Sequence, residues 1–265
     1  MQNLNAQNAR EWEIRSKRYG AALRSVLFKG LPEVVNEHLH NWHKNLVLDR
    51  IKAKEDLRIL DAGCGYGRLS IPIIEKFPNV DIKGMDISEN YVSLYRDNTG
   101  RFAFVGAVEN MPDLLELFDY IICVTVLMYL DDKKLEKATS KLLFHLKRGG
   151  ELIVIEPHRS GIPFQTGFGI VTFLRSLRRR SNSDMRSRYF TSKEIGAYFH
   201  NAGGKILFER RLPMTSFFFL PMALIGKLFP CKMTKQICRI VSLFDTFLGG
   251  FRFPSLYAAY MIAKN

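Results

Sequence analysis

The sequence has few cysteines, no long uncharged apolar run, and fewer acidic than basic residues. Only 4 of its 265 residues are cysteine, at the separated positions Cys64, Cys123, Cys231 and Cys238. Scattered cysteines are typical of reduced side chains in a cytoplasmic protein and not of a disulfide framework. No stretch of about twenty residues lacks both charges and prolines, so we expect no membrane-spanning helix. The polar N-terminus, residues 1–18, does not resemble a secretory signal.

The composition is that of a globular protein with a large basic excess. Hydrophobic residues make up 47% and aromatic residues 12% of the 265 positions, enough for one domain with a substantial core. The net charge is +13, and six arginines lie within residues 175–188. Such a cluster suits a solvated surface, an anionic membrane surface, a phosphorylated substrate or RNA. The sequence leaves these alternatives open, a peripheral membrane contact among them.

The strongest motif lies between residues 58 and 67. Residues 58–60 have the pattern of the end of a buried strand, and Asp61-Ala62-Gly63-Cys64-Gly65-Tyr66-Gly67 follows. The three glycines let the backbone turn tightly and approach a ligand, and the apolar spacing over residues 69–74 predicts that the loop leads into a helix. A second predicted strand ends at Asp86, where a carboxylate accepts hydrogen bonds from ribose hydroxyls. Together the two halves predict a nucleoside site.

The glycine spacing distinguishes this loop from other nucleotide loops. A dinucleotide fingerprint would need a glycine where Arg68 stands, and no phosphate-cradling lysine motif is present. The loop instead resembles motif I of the class I S-adenosylmethionine (SAM)-dependent methyltransferases. The resemblance continues in order through the ribose acid, the adenine loop, and the fourth and fifth strands of that family, and it covers residues 58–157. The matching segments are Asp86, residues 104–112, 118–127 and 146–157.

This resemblance and the alternation of predicted strands and helices imply an α/β fold. We expect a Rossmann-like, doubly wound, mostly parallel seven-stranded sheet in a single domain, residues 1–265. Residues 1–55 would form an N-terminal helical lid and residues 56–157 the SAM-binding core. Residues 158–265 would form a substrate-side cap, a helical insertion and the closing strands. The apolar, amphipathic residues 213–250 either cap a hydrophobic acceptor pocket or lie in a membrane interface.

The resemblance implies that SAM is the cofactor and that residues of the motifs bind it. The expected cofactor-binding residues are Asp61, Gly63, Cys64, Gly65, Gly67, Asp86, Ile87, Val108, Glu109, Thr125 and, from the N-terminal lid, Tyr19. Trp12 is a second lid residue that would close the site. One departure concerns Ala107, because the family often has an acidic residue there that bonds the adenine amino group. That contact is either absent here or made by Glu109 or Asn110.

Methyl transfer from SAM needs little catalytic apparatus, because the sulfonium already activates the methyl group and the enzyme mainly aligns donor and acceptor. If the acceptor is a hydroxyl, His158 is the first candidate for a general base, since it follows the fifth strand and its ordinary pKa of about 6.5 suits proton acceptance. Glu156 and Tyr129 are the other candidates. No carboxylate set resembles the divalent-metal site of catechol-methylating enzymes, so we expect a metal-independent enzyme.

Three functions remain after these observations. The first is methylation of a small-molecule or lipid-like acceptor at oxygen or nitrogen. The second is RNA methylation through residues 175–188, but residues 125–128 lack the motif of enzymes that methylate nucleic-acid or protein nitrogens, which argues against nucleic acid. The third is a SAM-binding protein without turnover. A metal site at His38, His40 and His43 is not expected, because only His40 and His43 share a helix face.

Overall fold

The computed structural model describes residues 4–29, 33–113, 116–159, 187–212 and 256–265, with six further helical residues at 233, 236, 237, 239, 240 and 243. Most of the arginine-rich segment and nearly all of residues 213–250 lie outside this part of the chain. The proposals of a membrane contact, an RNA-binding surface and an acceptor cap therefore concern residues that are not described. Within the described part, no helix is long and apolar enough to cross a membrane.

A seven-stranded sheet forms the centre of the fold, with strand order β3-β2-β1-β4-β5-β7-β6. Strands β1 to β5 pair in parallel, and β7 is antiparallel to both β5 and β6. The sheet confirms the predicted Rossmann-like, mostly parallel architecture. The strands are β1 Arg58–Ala62, β2 Asp81–Asp86, β3 Ala103–Val105, β4 Phe118–Val124, β5 Leu146–Pro157, β6 Gly204–Leu212 and β7 Tyr257–Lys264.

Helices precede the sheet and cover its two faces. Three of them form the N-terminal helical region that the sequence predicted. Those three are α1 Leu4–Tyr19, α2 Leu23–Val26 and α3 Glu33–Arg50. The others are α4 Ser70–Lys76, α5 Glu89–Thr99, α6 Asp132–Phe144 and α7 Ser192–Asn201. Short 3₁₀ turns occupy Val108–Asn110 and Leu127–Tyr129.

The central strands are apolar on both faces, because each face is covered by helices. Ile59 of β1 packs into the core that includes Leu39 of α3 and Ile73 of α4. Its neighbour Leu60 points the other way, into the core that includes Leu135 of α6 and Phe199 of α7. All six side chains are fully buried. The sheet is therefore held between two apolar layers, and its carboxyl edge is left for the loops.

Local signals set several element boundaries. Thr191 followed three positions later by Glu194 is a sequence pattern that predicts a capping box, and the structure has one at the start of α7. The Thr191 hydroxyl accepts from the N–H of Glu194, and the Glu194 carboxylate accepts from the N–H of Thr191. One boundary differs from the prediction. The sequence suggests a turn at residues 146–150, yet β5 already begins at Leu146, which pairs with Phe118 before a register shift. Gly149, at φ +77°, accommodates that irregularity.

Candidate active site

A cleft opens at the carboxyl ends of β1, β2 and β4, between the sheet and helix α1. This is the edge where parallel α/β sheets bind ligands. The structure brings most of the predicted residues together there. The predicted residues that line the cleft are Asp61, Gly63, Cys64, Gly65, Asp86, Ile87, Val108, Glu109, Thr125 and Tyr129. In the described part of the chain Gly67, Tyr19, Glu156 and His158 lie outside its lining.

The glycine loop needs glycine at its first position for two reasons. Gly63 has φ +84°, a conformation that L side chains rarely adopt. A Cβ atom there would also lie 2.2 Å from Cγ2 of Val126, in the loop after β4. The N–H groups of Gly63 and Cys64 both donate to the carbonyl of Met85, at 2.7 and 3.0 Å. The loop is therefore tied to the end of β2 and touches the loop after β4.

Asp86 ends β2 beside the glycine loop. The N–H of Gly65 donates to its Oδ2 and the N–H of Ser88 to its Oδ1, each at 2.9 Å. Burial raises the pKa of Asp86 to about 6, against the lowering effect of these N–H groups, so the carboxylate is mainly ionised at neutral pH. Each oxygen retains a second lone pair. The geometry suits two further hydrogen bonds from the hydroxyls of a ribose.

Asp61, the last polar residue of β1, has a different environment. Its Oδ2 accepts from the hydroxyl of Ser70 at 2.7 Å, and the Tyr95 hydroxyl donates to Ser70 Oγ at 3.1 Å. Burial raises the pKa of Asp61 to about 6. The carboxylate thus links β1 to the first residue of α4 while still bordering the cleft.

The far end of the cleft is formed by residues that follow β3. Gly106 donates its N–H to the carbonyl of Asp86 at 2.9 Å, which fixes this loop against β2. Ala107, Val108 and Glu109 line the cleft, and Glu109 is only 4% exposed. The loop predicted to lie beside an adenine is therefore at the predicted edge. Glu109, one of the two residues named as a replacement for the missing acid at Ala107, borders the cleft, and its contact with an adenine stays a prediction.

Thr125, directly after β4, has a strained backbone that the sequence did not reveal. Its φ is +58°, which is rare for a β-branched residue and costs on the order of 1–3 kcal/mol. Its N–H donates to the carbonyl of Ile155 at 2.8 Å, which holds the conformation. Strain of this kind is concentrated at binding sites, and Thr125 borders the cleft.

Glu156, near the end of β5, fastens the loop after β4. Its carboxylate accepts from the N–H groups of Val126, Leu127 and Met128, at 2.9, 2.7 and 3.3 Å. Burial raises the pKa of Glu156 to about 8, opposed by these three donors. The side chain is 1% exposed and points to the loop backbone. The structure shows it holding the loop; its predicted catalytic role stays a prediction.

His158 follows β5 but faces α7 and β6. Its Nε2 lies 3.2 Å from Oγ of Ser192, which in turn donates to Glu209 at 2.6 Å. Burial, and then the charge of Arg211, lowers the pKa of His158 to about 4. The imidazole is therefore neutral near pH 7 and a weak proton acceptor. Its role as a general base also stays a prediction.

The opposite wall of the cleft comes from α1. The Trp12 ring meets the Tyr129 ring edge to face, with centroids 5.4 Å apart. Nδ2 of Asn8 donates to the carbonyl of Tyr129 at 3.2 Å, while its buried Oδ1 has no partner among the described residues. Trp12 was one of the predicted lid residues; Tyr19 is the last residue of α1, with the Arg18 guanidinium over its ring. Burial raises the pKa of Tyr129, so its phenol is protonated.

Sequence reasoning missed Asn8, Tyr91 and Arg68, which also line the cleft. Tyr91 lies on α5 and donates its hydroxyl to the carbonyl of Ser25 at 2.8 Å. Arg68 was considered only as the residue that breaks a dinucleotide fingerprint. No pattern of spacing marked these residues, because their partners lie far away in the chain.

Comparison with known proteins agrees with this site. Residues 59–150 match the family model of the "Methyltransferase domain". Geranyl diphosphate C-methyltransferase from Streptomyces coelicolor A3(2) is similar in structure, with TM-score 0.64, 15% identity, and 99% of this chain and 98% of that chain covered. Its crystal structure contains Mg²⁺, geranyl diphosphate and S-adenosyl-L-homocysteine (SAH). No curated protein matches the chain in sequence.

Two further solved structures extend the comparison. Magnesium protoporphyrin IX methyltransferase from Synechocystis PCC 6803, with bound SAH, has TM-score 0.62 and 16% identity, with coverage of 99% of this chain and 100% of that chain. The mitomycin 7-O-methyltransferase MmcR has TM-score 0.55 and 13% identity, with coverage of 86% and 54%. At these identities the likeness concerns the fold, and the family model covers residues 59–150. Those residues are a SAM-dependent methyltransferase domain with the class I fold, and SAM is the cofactor.

Proposed function

We propose that the enzyme methylates a small-molecule acceptor that binds in the cleft against the aromatic wall formed by Trp12, Tyr91 and Tyr129. One observation carries this proposal. A single cleft runs from Asp86 and Glu109, at the ends of β2 and β3, to this aromatic wall. A cofactor bound at the first end leaves the aromatic end for the acceptor.

The residues of the cleft fit SAM in this orientation. Asp86 would accept hydrogen bonds from the ribose hydroxyls, and Ile87 and Val108 would provide apolar contacts for the adenine. The backbone of Gly63 and Gly65 permits close approach. When bound, SAM supplies a methyl group that is already activated by the adjacent sulfonium. These assignments predict that the methyl group lies near Thr125, between the glycine loop and the aromatic wall.

The acceptor end favours a flat or apolar molecule with one hydrogen-bond donor. The rings of Tyr91 and Tyr129 lie 6.3 and 5.4 Å from that of Trp12, centroid to centroid. Such rings provide a large apolar contact area. Among the described residues, Oδ1 of Asn8 has no hydrogen-bond partner. It can therefore accept a hydrogen bond from a hydroxyl or amine of the acceptor. The similar structures support this class, since their names specify geranyl diphosphate, magnesium protoporphyrin IX and mitomycin.

We propose that proximity and orientation supply most of the catalysis. The acceptor oxygen or nitrogen forms a bond to the methyl carbon while the carbon–sulfur bond breaks and its electron pair goes to sulfur, which gives SAH. The acceptor proton then passes to water. Tyr129, protonated at neutral pH, would orient the acceptor through its ring and hydroxyl. Catalysis by alignment needs no group with a pKa near 7.

The test is SAH formation from SAM with a panel of phenols, aromatic amines and isoprenoid alcohols, followed by mass spectrometry. With an acceptor found in this way, Trp12→Ala should raise the acceptor KM at least about tenfold through the lost ring contact. The dissociation constant of SAH, measured by calorimetry, should change less than about threefold. Phe102→Ala is the matched control, because this ring is 58% exposed and lies outside the cleft lining. Equal losses of SAH affinity and acceptor affinity in Trp12→Ala would contradict the proposed division of the cleft.

A further inference from the structure

Glu13 links helix α1 to the start of α5. Its Oε2 accepts a hydrogen bond from the hydroxyl of Ser88 at 2.7 Å and one from the N–H of Asn90 at 3.2 Å. Both donors lie at the N-terminus of α5, where the helix dipole favours a negative charge. Lys17, one turn further along α1, pairs with the other oxygen, Oε1, at 3.0 Å. Against burial, which would raise it, these hydrogen bonds lower the pKa of Glu13, so the carboxylate is ionised at neutral pH.

Ser88 connects this link to the Asp86 end of the cleft. The residue is 1% exposed. Its N–H donates to Oδ1 of Asp86 at 2.9 Å, and its Oγ, as the N-cap of α5, accepts from the N–H of Tyr91 at 3.2 Å. Oγ of Ser16 on α1 lies 3.3 Å from the same hydroxyl oxygen. One buried residue therefore contacts both the carboxylate proposed to bind the ribose and the carboxylate that holds α1.

Helix α1 also supplies part of the aromatic wall. Trp12 directly precedes Glu13, and Asn8 lies one turn earlier; both line the cleft. The Trp12 and Tyr129 rings lie 5.4 Å apart, centroid to centroid, and Nδ2 of Asn8 donates to the carbonyl of Tyr129. The helix thus contacts α5 on one side of the cleft and the loop after β4 on the other. Because Glu13 holds the α5 side, its hydrogen bonds help to set the position of Trp12.

We propose that Glu13 is a positioning residue that couples ribose binding at Asp86 to the placement of Trp12. Ribose hydroxyls fix the Asp86 carboxylate, the carboxylate fixes the N–H of Ser88, and the Ser88 hydroxyl fixes Glu13 and with it α1. The aromatic wall is then completed when the cofactor is bound. Such coupling is reciprocal, so a bound acceptor strengthens cofactor binding by the same factor. The inference rests on the proposed function, which assigns the ribose to Asp86 and the acceptor to the aromatic wall.

The test uses the fluorescence of Trp12. The chain has two tryptophans, and Trp42 lies outside the cleft lining, so Trp42→Phe leaves Trp12 as the single reporter. The ligands are adenosine and 2′,3′-dideoxyadenosine, which differ in the hydroxyls that Asp86 would bind, each at a saturating concentration set by calorimetry. Adenosine should reduce the quenching of Trp12 by acrylamide about two- to threefold, because it orders α1. Dideoxyadenosine should reduce it by less than about 1.3-fold.

Variants of Glu13 in this background separate the coupling from ribose binding itself. In Glu13→Met, adenosine should protect Trp12 no better than dideoxyadenosine does, while the adenosine dissociation constant changes less than about threefold. Glu13→Gln keeps one acceptor oxygen for the Ser88 hydroxyl, so it should retain about half of the difference between the ligands. Glu11→Met is the matched control on the same helix, because the hydrogen bonds from Ser88 and Asn90 go to Glu13. It should keep the full difference.

A second variant breaks the link from α5 and leaves α1 unaltered. Ser88→Ala should also remove the extra protection of Trp12 by adenosine, and Glu13→Met should add nothing further in that background. Equal protection by the two ligands in the parent protein, or the full difference in either variant, overturns the proposal. Failure of adenosine to bind overturns it together with the ribose assignment of Asp86. The acceptor KM of Trp12→Ala tests the proposed function separately, so the coupling and that function can fail independently.

Discussion

The glycine loop and the loop after β4 share three structural features. Each follows the end of a parallel strand, and each contains a residue with positive φ, Gly63 in one and Thr125 in the other. A buried carboxylate at the end of a neighbouring strand then accepts N–H groups from the loop, Asp86 in the first and Glu156 in the second. The two carboxylates serve different purposes, however, because Asp86 also borders the cleft and Glu156 is enclosed by the loop that it holds.

This difference separates ligand binding from loop positioning. Asp86 has spare lone pairs towards the cleft and a pKa of about 6, so it can be ionised and bind hydroxyls. The oxygens of Glu156 instead accept hydrogen bonds from three backbone N–H groups, and its pKa is about 8. The two loops also touch, since Gly63 lies against Val126. A change in either loop should therefore be felt by the other.

The largest effect should come from Gly63→Ala, which disturbs both loops. The new Cβ would lie 2.2 Å from Val126 Cγ2, at φ +84°. Strain and overpacking together should lower the free energy of unfolding by about 2–4 kcal/mol, as measured by urea denaturation, and should weaken SAH binding strongly.

Two further variants separate the causes of that loss. Gly149→Ala introduces a side chain at φ +77° with no atom within 4 Å, so only the conformational strain of about 1 kcal/mol applies. Adding Val126→Ala to Gly63→Ala should recover part of the stability, because it removes the clash but not the strain. If Val126→Ala has no effect in the Gly63→Ala background, the two loops are not coupled through this contact.

Replacing each of the two carboxylates should have a smaller effect than Gly63→Ala, on SAH affinity in one case and on stability in the other. Asp86→Asn should weaken SAH binding by about 100-fold, because charged acceptors of two ribose hydroxyls are lost. Glu156→Gln should instead lower the free energy of unfolding by about 1–3 kcal/mol, because an amide N–H₂ then faces backbone donors. Its SAH dissociation constant should stay within about threefold of wild type. A large loss of SAH affinity in Glu156→Gln would contradict the assignment of Glu156 to the loop alone.

The pH dependence of stability provides a second signature for Glu156. Its pKa is raised from 4.5 to about 8 in the folded enzyme, so between these values the folded state holds a proton that the unfolded state has lost. Stability from this group is therefore present below about pH 5 and is lost as the pH rises towards 8. The gap in stability between wild type and Glu156→Gln should narrow over that range. A gap that is constant from pH 5.5 to 8.5 would show that Glu156 does not titrate there.

Sequence reasoning predicted the features that local signals encode. The glycine spacing, the acidic residue ending the second strand and the capping box at Thr191 and Glu194 all depend on neighbouring residues, and the sheet follows from the alternation of elements. The contact of Arg68 with His40 joins residues 28 positions apart, and Glu156 bonds Leu127 from 29 positions away. Such partners are set by helix packing and sheet order. For the same reason the sequence could place Thr125 at the edge of the sheet but not predict its positive φ.

The smallest expected effect concerns Thr125 itself. A β-branched residue at φ +58° is strained, whereas asparagine adopts this conformation more readily. Thr125→Asn should therefore raise the free energy of unfolding by about 0.5–1 kcal/mol in urea denaturation. It should also lower the rate of methyl transfer, because the side chain borders the cleft between cofactor and acceptor. Thr125→Ser keeps the hydroxyl, which donates to the carbonyl of Val124 at 2.7 Å, and so should preserve more of the rate. A loss of stability in Thr125→Asn would mean that the contacts of the threonine outweigh its backbone strain. The loop after β4 would then resemble the glycine loop in its hydrogen bonds to a carboxylate but not in a preference for a residue that tolerates positive φ.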